Sequence, residues 1–349
     1  MRKKLITRAT IDDVAKLAGV SIKTVSRVVN HEPNVRESTK ARVDKAIEEL
    51  NYRPNPSARS LASHRSRLIG LLYDDPGAYE IPSSGYIIRL QRGTLSACRS
   101  AHYEVLIHPC NYRNKDVAGE LEGLIEQARP AGMIIAAPLS NMPKIVGAIA
   151  KTGTPYVRLS PGRKNGDDLC VATNDREISA EMTRYLSSLG HKSIAFITGH
   201  RNHKAVAKRF LGYKDGLRQS GLKFSEQLVV AGDNSIGSGE ECATKLLKRK
   251  HRPTAIFAAN DDMAAGVLRV AAKLGIDVPG ELSVAGCDDI SLARQIHPTL
   301  TTIRQPLVAM AERAATALIT GVHEQSSTQG NEIIPATLRI RESTGPAPS

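Results

Sequence analysis

The chain has 349 residues, 41% hydrophobic and 24% charged, a balance that excludes a disordered protein and, at roughly 150 residues per domain, calls for two or three domains. No apolar run nears the ~18 residues of a membrane span, and the basic start leads into Asp12 and Asp13 instead of an apolar signal core, so a cytoplasmic protein is expected. The net charge of +13 is concentrated, since residues 1 to 67 hold 15 Lys/Arg against 7 Asp/Glu; that is the footprint of a phosphate-backbone binder.

Thr10 is placed to cap a first helix whose opening turn carries Asp12 and Asp13. Ile11, Val14, Ala15 and Ala18 form its apolar stripe, and Gly19 supplies the left-handed stop. Ser21 caps a second helix after a very short turn, with Val25, Val28 and Val29 inward and Ile22, Lys23, Ser26, Arg27 and Asn30 outward. A third helix, capped by Ser38, has Val43, Ala46, Ile47 and Leu50 as its stripe. Two helices joined by a tight glycine turn predict a helix-turn-helix whose second helix enters the major groove.

The run Ala15 to Asn30, with Val20-Ser21 and Thr24-Val25-Ser26-Arg27-Val28-Val29-Asn30, resembles the signature of the lactose-repressor (LacI/GalR) family of bacterial regulators, and Leu50 to Asn55 continues it. The resemblance implies that Ile22, Lys23 and Arg27 read bases while Ser21, Thr24, Ser26 and Asn30 touch the backbone; Thr10 and Asn55 join the DNA-contact candidates. It also implies that Asn55 to Ala62 folds as a hinge helix on DNA, with Leu61 wedged into a minor-groove step and Ala58 beside it. The expected partners are a palindromic operator duplex and a second copy of the chain.

From Arg67 short β-rich runs alternate with amphipathic segments. Strands are predicted at 68–73, 105–108, 132–136, 155–159, 169–172, 193–198, 255–259, 283–286 and 300–303, with helices such as 86–101, 177–189, 204–220, 239–250 and 262–274. His108-Pro-Cys110, the nearest approach to a metal-ligand pair, reads as strand packing. The alternation predicts parallel sheets wrapped by helices, with ligands beyond the carboxyl ends of the strands. The turn-rich Ser160 to Asp168 segment is read as the crossing between two lobes. The expected domains are therefore a headpiece at 1–54, a hinge at 55–64 and an effector and dimerisation domain at 65–349. Within the last, one lobe takes about 65–168 and 303–328, the other about 169–300 and 329–345.

This half is similar to the same family at Arg209 to Tyr213, Phe257 to Gly266, Ser283 to Asp289 and Pro298 to Pro306, and the two-lobed fold of periplasmic sugar-binding proteins is implied. By resemblance Asp74, Arg158, Arg209, Asn260 and Asp288 contact the effector. Asp261, Asp262 and Asp289 read equally well as caps and salt bridges. The scarcity of aromatic platforms and the two guanidinium groups of Arg158 and Arg209 favour a sugar acid over a neutral sugar. Tyr73, Tyr79 or Tyr86 would supply a missing stacking face. With no nucleophile elbow, phosphate loop or metal spacing, catalysis and cofactors are not expected. The reading is a repressor controlled by a sugar or sugar acid; the alternative is an activator or dual regulator sensing a non-sugar metabolite.

Overall fold

Thr10 starts α1 (Ile11–Ala18) through a reciprocal cap: its hydroxyl accepts from the Asp13 N–H at 3.3 Å, and the Asp13 carboxylate accepts from the Thr10 N–H at 2.9 Å. Gly19, at φ 63°, ends the helix, and the Val20 N–H closes back on the Ala15 carbonyl at 3.1 Å. Ser21 then accepts from the Thr24 N–H at 3.1 Å and opens α2 (Ile22–Val29). The third helix, α3 (Glu37–Glu49), begins one residue before the expected Ser38 cap; its flanking residue is Arg36, which makes no side-chain cap bond. Val14, Ala15, Ala18, Val25, Val28, Val43 and Ala46 close the core, with Val29, Ile47 and Leu50 at its edge.

The structure, a computed structural model, describes residues 9–29, 35–52, 66–74, 84–162, 168–324 and 330–348. Asn30, Asn55, Ala58, Leu61, Asp75, Tyr79 and the expected 55–64 hinge lie outside the described residues. Contacts divide the chain into Met1–Ser66, which holds the three helices, and Arg67–Ser349.

The larger unit is built on two six-stranded sheets. The first contains β1 (Leu68–Asp74), β2 (Glu104–Cys110), β3 (Gly132–Ile135), β4 (Tyr156–Leu159), β5 (Leu169–Ala172) and, far down the chain, β11 (Asn331–Ile333), in the order β11-β5-β4-β3-β1-β2. Every pairing in it is parallel. Helices α4 (Ser84–Ser100), α5 (Val117–Ala128), α6 (Pro143–Lys151) and α12 (Leu307–Glu324) cover it. The second sheet, ordered β12-β10-β9-β8-β6-β7, contains β6 (Ile194–Thr198), β7 (Val229–Ala231), β8 (Ala255–Ala258), β9 (Ser283–Cys287), β10 (Thr301–Arg304) and β12 (Thr337–Arg339). Only β12 runs antiparallel to its neighbour there. Its wrapping helices are α7 (Asp175–Ser188), α8 (Lys204–Gln219), α9 (Ile236–Leu247) and α10 (Asp261–Lys273), with the single-turn α11 (Leu292–Gln295) after β9.

The lobe boundaries differ from expectation. Ser160 to Asp168 is no crossing: it joins β4 to β5, which pair with each other in the first sheet. Parallel neighbours usually need a connection of a dozen or more residues, so a shorter polar loop reads as a change of lobe. The chain instead crosses after β5, again after β10, which belongs to the second sheet, and between β11 and β12. The first and third crossings are tied together where the Ala336 N–H donates to Asn174 Oδ1 at 2.8 Å. β7 and β11 escaped the sequence because three-residue edge strands show too little alternation to detect. All five cysteines are buried and outside any disulfide, and Cys110 packs with Leu72, Val117 and Leu121.

Candidate nucleic-acid interface and ligand cleft

With Val25 and Val28 buried, α2 turns Ile22, Lys23 and Arg27 to solvent, and Ile22 is 47% exposed. A protruding isoleucine between polar groups suits apolar contact with a thymine methyl, and lysine and arginine suit guanine O6 and N7. Ser21 and Thr24 share a 2.9 Å hydroxyl contact, so the same groups that would meet phosphate also fix the helix start. Ser26 lies half-buried beside them, and Thr10 caps α1.

In the larger unit the site grows from strand ends. Arg209 on α8 is buried; its Nε donates to Asp175 Oδ1 at 2.9 Å and its Nη1 to the Ala259 carbonyl at 2.6 Å, with Asp288 Oδ1 at 3.9 Å. Asp175, which opens α7 directly after the first crossing, was missed in the sequence; it became legible only once β5 was placed. Burial, against the pull of Arg209, holds the carboxyls of Asp175 and Asp288 above their ordinary range. Asp288 also accepts from the Gln305 side chain at the second crossing. Asp288 and Asp289 are left-handed, at φ 126° and 52°, a conformation that costs ~1–3 kcal/mol per residue and clusters at functional sites.

The Asn260 side chain makes two local bonds: its Oδ1 caps α10 through the Met263 N–H at 3.0 Å and its Nδ2 donates to the Asn234 carbonyl at 2.8 Å. Asp261 accepts from the Ile290 N–H at 2.9 Å and from Thr302 at 2.5 Å. Asp289 is clamped by Arg304 and Arg341, both at 2.5 Å. Burial and then the charge of Asp288 push the Asp262 carboxyl up to about 7. Asp74 stands half-buried at the end of β1.

Arg158 on β4 lies in a second network. Its Nε donates to the Ser140 carbonyl at 2.8 Å and its Nη1 to Asp168 at 3.2 Å, while the Tyr156 hydroxyl donates to the other Asp168 oxygen at 2.7 Å. Both guanidiniums are thus paired with carboxylates of the chain itself. Sequence reading could not see these partners, because the Arg209 and Asp175 side chains meet only through the fold.

Two aromatic groups complete the cleft. Tyr86 of α4 meets His203, which precedes α8, edge-on at a centroid distance of 6.3 Å. The Tyr86 hydroxyl is pushed up by burial and then by the charge of Asp288. His203 Nδ1 is buried and has no hydrogen-bond partner among the described residues. Burial, then Arg209 and His200, depress this imidazole to about 3. A depressed histidine contributes stability above its unfolded value near 6.5 and loses it as the pH falls, because only the unfolded ring takes up a proton. The stability advantage of wild type over H203N, from urea unfolding, is expected to shrink below pH 6.5 by up to ~1.4 kcal/mol per pH unit. An advantage that is constant between pH 7.5 and 5 would contradict the buried neutral ring.

Among the described residues no His, Cys, Asp and Glu group is arranged to hold a metal, and no helix is long and apolar enough to cross a membrane. The sequence profile of the lacI family of bacterial regulatory proteins matches residues 10–55, and that of the periplasmic binding protein-like domain matches residues 183–344. The chain is 34% identical over 314 residues to the HTH-type transcriptional regulator GalR of Escherichia coli K12, covering 88% of this chain and 87% of that one. Its fold is similar to the lac repressor dimer bound to operator and the anti-inducer ONPF, with a TM-score of 0.81, 26% identity and coverage of 97% and 100%. It is also similar to the transcriptional regulator CelR in complex with cellobiose, with a TM-score of 0.74, 27% identity and coverage of 96% and 100%. A reading helix on a small three-helix core, a two-lobed ligand domain and these relatives lead to one conclusion: the chain belongs to the lacI family of bacterial regulatory proteins and is a DNA-binding transcriptional regulator, not an enzyme.

Proposed function

We propose that this regulator is a cytoplasmic, homodimeric repressor whose hold on a palindromic operator is controlled by a small neutral carbohydrate in the cleft. The observation that carries the ligand class is Arg209 set between Asp175 and Asp288. A charge-matched array of donors and acceptors suits hydroxyl groups, each of which both gives and takes a hydrogen bond, whereas an anion would compete with carboxylates already in place. Tyr86 offers the ring face that a sugar's C–H groups need. The cellobiose complex of a relative agrees with this class.

A dimer is favoured by the outer face of α4, where Ile88, 56% exposed, lines a groove of about 560 Å³ with Gln91, Arg92, Leu95, Ser96 and Arg99. A second copy seated there would set the spacing of two reading helices, as the dimeric lac repressor suggests.

The test is operator selection from random duplexes, followed by anisotropy titrations with cellobiose, galactose, ribose, gluconate and a nucleobase. A palindrome is expected to emerge, and a neutral sugar to change operator affinity by roughly 5- to 150-fold. A response confined to gluconate or the nucleobase overturns the ligand class; failure of any palindrome to emerge overturns the paired hold on the operator.

A further inference from the structure

Helix α4 packs in the first lobe, yet its opening turns touch the second. Gly85 abuts Ile290 so closely that a Cβ there would stand 2.7 Å from the Ile290 Cβ. Tyr86 meets His203. Arg89, one turn on and on the same side, donates from Nη1 to the Asp288 carbonyl at 3.2 Å and from Nη2 to the Asp289 carbonyl. One planar guanidinium thus takes two consecutive carbonyls, a match that the left-handed backbone of this turn allows. The same turn carries the Asp288 carboxylate toward Arg209 and Gln305.

We propose that Arg89 is a positioning residue of the effector site, holding the Asp288–Asp289 turn in its strained conformation from the opposite lobe. The assignment of Asp288 to the effector rests on the function proposed above. A strained turn persists only where its surroundings over-determine it. Within its own lobe the turn is held through the Asp289 carboxylate by Arg304 and Arg341 and through the Asp288 N–H by the Ile303 carbonyl, while the turn's two carbonyls are answered across the cleft. The turn is therefore complete only when the lobes are together, and an effector that uses Asp288 is bound tightly only by the closed form. Arg89 does this without touching the effector.

The experiment compares wild type, R89M and R89K as full-length chains. Amide exchange is read at Asp288, whose N–H is bonded to the Ile303 carbonyl at 2.8 Å, and at Ile290, bonded to Asp261 at 2.9 Å. Lobe separation is read from spin labels at the exposed positions Glu126 and Lys245, the native cysteines being buried. In R89M these two amides are expected to exchange about tenfold faster and the label distances to lengthen and broaden. R89K, whose ammonium lacks the planar fork, is expected to fall between. Unchanged exchange, or a uniform rise across the whole unit with unchanged label distances, overturns the proposal. Neither readout needs an effector, so a wrong ligand class leaves the seam standing, and a failed seam leaves the ligand class to its own test.

Discussion

R209M is expected to destabilise the larger unit by about 3–5 kcal/mol, the cost of leaving a buried ion pair half-made. Arg209 is 4% exposed and Asp175 3%, so neither water nor a mobile side chain can replace the lost charge. Asp175 would keep a carboxyl already pushed up by burial, and Asp288 would lose its nearby cation. The Ala259 carbonyl would also lose its donor, adding the desolvation penalty of an unmet acceptor. The double variant D175N/R209M removes both ends of the shorter pair and is expected to recover part of the loss, since coupled neighbours are not additive. Urea unfolding followed by tyrosine fluorescence reads this; Tyr213 is buried in the same lobe, and the chain has no tryptophan. A loss below about 1 kcal/mol would mean that the cluster is hydrated and the cleft open to water.

The second large effect falls on the reading helix. A bidentate arginine–guanine contact contributes ~1–3 kcal/mol, and a two-fold operator uses each contact twice, so R27A is expected to weaken specific binding by ~2–6 kcal/mol, upward of about thirtyfold. Affinity for a scrambled duplex is expected to fall far less, because base contacts specify while phosphate contacts position. R42A, which removes an exposed arginine from α3, supplies the comparison for loss of charge alone. Anisotropy on specific and scrambled duplexes at two salt concentrations separates the cases. Equal losses on both would assign Arg27 to the backbone and leave base reading to Ile22 and Lys23.

The reading helix was legible because its determinants are local. Thr10 caps Asp13, Gly19 stops α1 and Ser21 starts α2, each within three or four residues of its partner. Ser38 shows the limit: a serine in the right place does not cap when the chain has already turned helical at Glu37. The two-lobed fold was legible from the βα alternation, but the allotment of strands to lobes was not. β5 and the stretch that forms β11 went to the wrong lobe, and the expected boundary cut through β10, because these places depend on pairings such as β5 with β11 and β10 with β12, made only after long excursions. Arg209 and Asp288, which the fold brings together, were named from the sequence, whereas Asp175, His203 and the grip of Arg89 were not.

By itself the sequence determined what can be built from contacts within one helical turn: a capped helix-turn-helix, an excess of charge beside it, and alternating strands and helices behind. Only the tertiary structure decided which charge answers which. Arg158 met Asp168 and Arg209 met Asp175, and the cleft became charge-matched instead of cationic. The physical reason is range: caps and stripes act over a few residues of chain, while compensation of buried charge depends on strand order, which no local pattern carries.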